Sequence, residues 1–170
     1  MSCTITTGRA RGCRNSSGGV LEFVIGNHPG VADYFDVDED NVITGITSFT
    51  GYTFVPTKNS SSWTEEIQVS LENGSVGFSQ SATMTFTRSD SALRNQVLLL
   101  AQANVLVIAR ERSGRYFLLG ATEGCEISAG NGGSGTNLTD LNGQNLVFTA
   151  MENAPAYEVS ASIIAGLIGA

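Results

Sequence analysis

Few side chains in this chain could do chemistry, and their neighbours decide what each can do. The single histidine, His28, would have to serve alone as the base of any Ser-His-Asp device, and no Gly-x-Ser-x-Gly elbow accompanies it. It stands directly before Pro29-Gly30, so a turn residue is expected. One histidine also excludes a His-rich zinc site. Gly130-Asn131-Gly132-Gly133-Ser134-Gly135 matches Gly-x-Gly-x-x-Gly, a pattern that binds dinucleotides only between a strand and a helix. Thr136-Asn137-Leu138-Thr139-Asp140 follows without helical periodicity, so a flexible Gly-rich loop is expected and no nucleotide site.

Carboxylates and thiols yield no more. Asp36, Asp38 and Asp40 alternate as at the start of an EF-hand loop. Asn41 takes the place of its sixth-position glycine and Thr47 that of its twelfth-position glutamate. An acidic hairpin tip facing water or a neighbour is expected, with calcium the minor alternative. Glu65 and Glu66 are adjacent in a predicted strand, point to opposite faces and cannot form an acid/base pair. Cys3, Cys13 and Cys125 are odd in number and lack Cys-x-x-Cys or metal-ligand spacing, which suits free thiols in a reducing compartment. No catalytic residue, cofactor or metal is expected.

The elements that must carry these residues are mostly strands. Val20 to Ile25 is a short β-favouring run closed by Gly26-Asn27-His28-Pro29-Gly30, and Val42 to Thr47 and Tyr52 to Val55 are two more. The clearest pattern runs from Trp63 to Thr87. Trp63, Ile67, Val69 and Leu71 alternate with polar residues, and after Asn73-Gly74 so do Val76, Phe78, Ala82, Met84 and Phe86. Asn-Gly suits both central positions of a type I′ turn, so a long hairpin with one buried and one polar face is expected. Asp90 reads as an N-cap for one packed helix over about residues 90–103. A second hairpin, Val105–Arg110 with Tyr116–Leu119, turns at Ser113-Gly114. A strand over Cys125–Ser128 and a last strand over Gln144–Met151 follow. Val159, Ile163 and Leu167 suit a short helix that Gly166 and Gly169 weaken. The fold class is therefore mostly β, a β-sandwich or half-barrel with one packed α-helix. The organisation is a flexible arm over residues 1–19 and a single domain over 20–170.

Composition narrows the partners. Charged residues make up 15% of the chain, against roughly 25% in typical soluble domains. Ser, Thr, Asn and Gly replace them, which fits a subunit packed against its own copies as well as a β domain with hydroxyl-bearing solvent faces. The net charge is −7 and Lys58 is the only lysine, so phosphate binding is not the main activity. The opening residues lack the apolar core of a secretory signal. The apolar stretch Ser162–Ala170 falls short of the ~20 residues that span a bilayer, so no membrane insertion is expected.

Several stretches resemble the tail tube proteins of long-tailed bacteriophages. They are Gly51-Tyr52-Thr53-Phe54-Val55-Pro56, Val69 to Phe78, Arg94-Asn95-Gln96-Val97, Tyr116-Phe117-Leu118-Leu119-Gly120, Leu141 to Thr149, and Pro155-Ala156-Tyr157-Glu158-Val159. Together they span about residues 50 to 160. The resemblance implies a structural, non-enzymatic subunit that forms stacked six-fold rings, with sheets paired side by side around a lumen that conducts DNA during ejection. Its partners would be itself, other tail proteins and DNA in transit. Its place would be the virion tail, assembled in the host cytoplasm. Candidates for the lumen are Glu66, Gln68, Ser70, Glu72, Ser79, Ser81, Thr83 and Thr85, the polar face of the long hairpin. Candidates for subunit contacts are Asp36, Asp38, Asp40, Asn41, Gly132, Gly133 and Gly135. Competing readings are a tail terminator or head–tail completion subunit, and a small decoration or carbohydrate-binding module.

Overall fold

The computed structural model describes residues 7–11, 17–31 and 33–169. Much of the expected N-terminal arm, with Cys3 and Cys13, lies outside the described residues. The first strands are β1 (Val20–Asn27), β2 (Phe35–Val37), β3 (Val42–Ile46), β4 (Gly51–Phe54), β5 (Ser62–Ser70) and β6 (Ser75–Thr87). Helix α1 (Ser91–Leu100) leads into β7 (Val105–Glu111), β8 (Tyr116–Leu119), β9 (Glu126–Gly133), β10 (Gly143–Glu152) and β11 (Tyr157–Val159), and α2 (Ala161–Leu167) ends the chain. The protein is mostly β, as its alternating runs require.

Two sheets share the work. The larger has seven strands in the order β2-β3-β11-β8-β7-β1-β4, and the smaller has four in the order β5-β6-β10-β9. One core lies between them, where Phe23, Ile25 and Val107 of the large sheet meet Met84, Phe86 and Phe148 of the small one. A second core lies on the far face of the large sheet, where Val24, Ile43, Leu106, Ile108 and Leu118 pack under Ile164 and Leu167 of α2. Strand β7 is buried on both faces, which explains its unbroken apolar run Val105-Leu106-Val107-Ile108-Ala109.

Several expectations are corrected by tertiary contacts. Strands β2 and β11 have three residues each, too short for a legible period; β11 forms on pairing parallel to β3 and antiparallel to β8. The short helix α2 forms despite Gly166, because Ile164 and Leu167 are buried in the second core, and Val159 belongs to β11 rather than to that helix. Half of the segment expected as a Gly-rich loop, residues 130–137, is strand: Gly130 to Gly133 continue β9, paired with Leu146 to Gly143 of β10. The turn at Asn73-Gly74 is not the expected two-residue type. Ser70 pairs with Ser75, leaving a four-residue connection in which Gly74 has a positive φ of 62° and Asn73 does not.

Candidate assembly surfaces

The long hairpin separates two faces as its alternation demands. On the core side, Trp63 pairs with Ala82, Glu65 with Gln80 and Ile67 with Phe78. Trp63 donates its indole N–H to Glu111 of β7 at 3.1 Å, tying the small sheet to the large one. Glu65 and Glu66 do point apart. Glu65 accepts the Ala156 backbone N–H at 2.6 Å and the Gln80 amide at 3.3 Å, while Glu66 is exposed on the outer side.

That outer side carries most of the candidate lumen residues. Glu66 lies opposite Ser79, and Ser81, Thr83 and Thr85 continue the same row along β6. Gln68 and Ser70 extend it along β5. Two candidates depart from the expectation. Glu72 is in the connection between β5 and β6 and lies on neither strand face. The Thr85 hydroxyl is already engaged, donating to the Ser60 carbonyl at 3.3 Å. Strand β10 adds Asn145, Val147, Thr149 and the exposed Met151 to this face, opposite Thr85, Thr83, Ser81 and Ser79. None of the four strands contains a lysine or arginine. The face is thus a hydroxyl- and amide-rich surface whose formal charge is negative.

Its two edges are open and matched. Strands β5, of nine residues, and β9, of eight, flank the sheet and have no further neighbour in it among the described residues. Neither contains proline or lysine, the usual guards of a free edge. Every pairing in the sheet is antiparallel, so β5 and β9 run in opposite directions. A neighbouring copy's β9 laid against β5 would therefore continue the antiparallel alternation.

The candidate contact residues separate into two groups. Gly132 and Gly133 lie on the open edge of β9. A side chain at Gly132 would collide with Gln144, whereas at Gly133 it would meet nothing. Gly135 has a positive φ of 70° and opens a turn in which Asp140 accepts the Thr136 and Asn137 N–H groups at 2.8 and 2.7 Å. Those donors hold the Asp140 carboxyl below its usual range. Asp36 lies in β2, an edge of the large sheet. Asp38 shapes the following turn, accepting the Asp40 and Val42 N–H groups at 3.0 and 2.9 Å, and Asn41 supplies its left-handed residue at φ 59°. Asp38 and Asn41 therefore have a local structural task.

Groups considered for chemistry are likewise placed. His28 accepts the Gly30 N–H on Nδ1 at 3.0 Å and stands edge-on to Tyr34 with ring centres 5.4 Å apart. It is a turn residue. Cys125 is buried with its thiol free. Arg110 is paired with Glu22 at 2.8 Å and Arg115 with Glu158 at 3.9 Å, and Arg112 is hydrogen-bonded to Asn59. Among the described residues, no group of three or more His, Cys, Asp or Glu could hold a metal ion. Among them too, no helix is long and apolar enough to cross a membrane.

Sequence reasoning missed two apolar surfaces. The hairpin overhangs the core, so Ile67, Val69 and Val76 are exposed although they hold core-facing positions. Their excess over what the sandwich can cover was visible only as hairpin length. The other is a cleft of about 800 Å³ between α1 and β4, lined by Phe54, Val55, Leu93 and Leu99 among others. No family model, curated protein or solved structure matches this chain.

Proposed function

We propose that this chain is a structural subunit that polymerises as stacked, hexameric rings into a phage tail tube, a conduit for DNA during ejection. The observation that carries the reading is the four-stranded sheet, open at two matched antiparallel edges and free of Lys and Arg on its strands. Six copies joined β5 to β9 would close a barrel of ~24 strands. At ~4.8 Å per strand its untilted circumference is about 115 Å and its diameter about 37 Å, and tilt widens it. A side-chain layer of ~5 Å, half the spacing of packed sheets, leaves a bore of about 27 Å, enough for a DNA duplex. The large sheet would face outward, and the hydroxyl-rich, acidic face would line the bore and repel phosphate rather than hold it.

Electron microscopy of concentrated protein tests this reading directly. Hollow filaments of uniform width are expected, with backbone amides on the outer edges of β5 and β9 slowing in hydrogen exchange on assembly. A monomer at every concentration and salt tried, with no filaments, would overturn it.

A further inference from the structure

Asn-Gly occurs three times in the chain, at Asn73-Gly74, Asn131-Gly132 and Asn142-Gly143. A glycine leaves its backbone nitrogen unshielded by a side chain. That nitrogen can attack the amide of the preceding asparagine wherever the backbone is free to bend onto it. The fold treats the three pairs differently. Gly143 is buried and paired on both sides, with Thr87 and with Gly133, and the Asn142 carbonyl accepts the Arg88 N–H at 2.8 Å. Asn131 and Gly132 pair with Asn145 and Gln144 along β9, and the Gln144 amide fills the space beside Gly132. Asn73 and Gly74 instead lie past the last pair of the long hairpin, Ser70 with Ser75. Both are exposed, and a side chain built on Gly74 would meet nothing. The Asn73 backbone N–H reaches the Ser70 hydroxyl at 3.3 Å. Among the described residues, neither the Asn73 side-chain amide nor the Gly74 N–H has a hydrogen-bond partner.

We infer that Asn73 is a site of spontaneous deamidation, and that the sheet shields the other two Asn-Gly pairs from the same reaction. The Gly74 nitrogen bonds to Cγ of Asn73, the bond from Cγ to the amide nitrogen breaks, and ammonia leaves with the proton from the Gly74 N–H. Water then opens the succinimide ring. Cleavage between the ring nitrogen and Cγ gives aspartate, and cleavage between that nitrogen and the backbone carbonyl carbon gives isoaspartate. Ring closure needs a backbone that can leave the extended form. An exposed loop tip has that freedom, whereas the other two pairs gain it only when the ladder opens locally. Either product adds a carboxylate beside Glu72 at the end of the hairpin, and isoaspartate also lengthens the main chain there by one carbon. The reaction needs only water, and it proceeds whether or not the chain forms tubes.

Peptide mapping by mass spectrometry tests this on the full folded chain, held at neutral pH in water enriched in heavy oxygen. The Asn73 peptide should take up one heavy oxygen and split into aspartate and isoaspartate forms. It should do so at least ~10-fold faster than the Asn131 and Asn142 peptides, a ratio that a local opening free energy of ~1.4 kcal/mol already imposes. In denaturant, where no ladder remains, the three rates should converge. Conversion at Asn73 no faster than at Asn131 or Asn142 in the folded chain overturns the inference. An equal preference for Asn73 in denaturant overturns it too, because local sequence rather than the fold would then set the rate.

Discussion

Gln80 occupies a position in β6 where the alternation calls for an apolar side chain, and it is 2% exposed. Its amide is satisfied there. Oε1 accepts the Gly120 N–H at 3.0 Å, and Nε2 donates to Glu65 and to the Ala154 carbonyl at 3.3 and 3.4 Å. Gln80→Leu would fill the space but leave the Gly120 donor and the Glu65 carboxylate short of partners. A loss of ~1–3 kcal/mol is expected in urea unfolding. Cys125 makes a pH-dependent contribution. Burial, with Glu152 adding to it, pushes the thiol from 9.0 up to about 12. The folded chain therefore holds a proton that the unfolded chain releases first, so this stability is full below about pH 9 and is lost as pH rises toward 12. Tyr34 is raised by burial too and acts in the same direction. The melting midpoint should fall between pH 9 and 11, less steeply in Cys125→Ala, and peptide mapping should find Cys125 alkylated at pH 8 only after unfolding.

At the scale of elements, α1 depends on its cap more than most helices do. None of its residues is fully buried; Leu93, Val97 and Leu100 are only half-covered against the first core. Asp90 accepts the Leu93 N–H at 2.8 Å, which satisfies one of the first-turn donors that a helix leaves unpaired. Asp90→Ala should cost ~1 kcal/mol, with faster exchange of the first-turn amides and little change elsewhere. The hairpin shows the converse case, an element longer than its support. Its register is set by the pairs Trp63–Ala82 through Val69–Val76, but the core ends before the strands do.

For the assembled molecule, Glu66 and Glu72 report on different surfaces. Glu66 projects from the outer face of the small sheet, and Glu72 lies in the hairpin connection. One charge beside one phosphate is worth only ~1 kcal/mol in water near 4 Å, but in the proposed tube every subunit of every ring would repeat it. Glu66→Lys should leave tubes intact and slow DNA ejection, most at low salt where screening is weakest. Glu72→Lys should leave ejection unchanged, because that residue lies in the connection and on neither strand face. Normal ejection from virions carrying Glu66→Lys would remove that face from the lumen, and slowed ejection with Glu72→Lys would add the hairpin connection to it.

Local rules made much of this protein legible. Period-2 alternation identified the two faces of the long hairpin, Asp90 marked the helix start, and Ser113-Gly114 marked a turn, because each depends on neighbours within a few residues. Tertiary structure decided the rest. Strands β2 and β11 exist only through pairing, and α2 tolerates Gly166 because a second core lies beneath Ile164 and Leu167. The stretch from Gly130 to Gly133 is an edge strand because β10 offers it a ladder, which no propensity for glycine would indicate. Whether Ile67 and Val69 were buried or exposed could not be read from alternation. Their pattern is that of buried residues, and only the place where the opposing sheet stops leaves them uncovered.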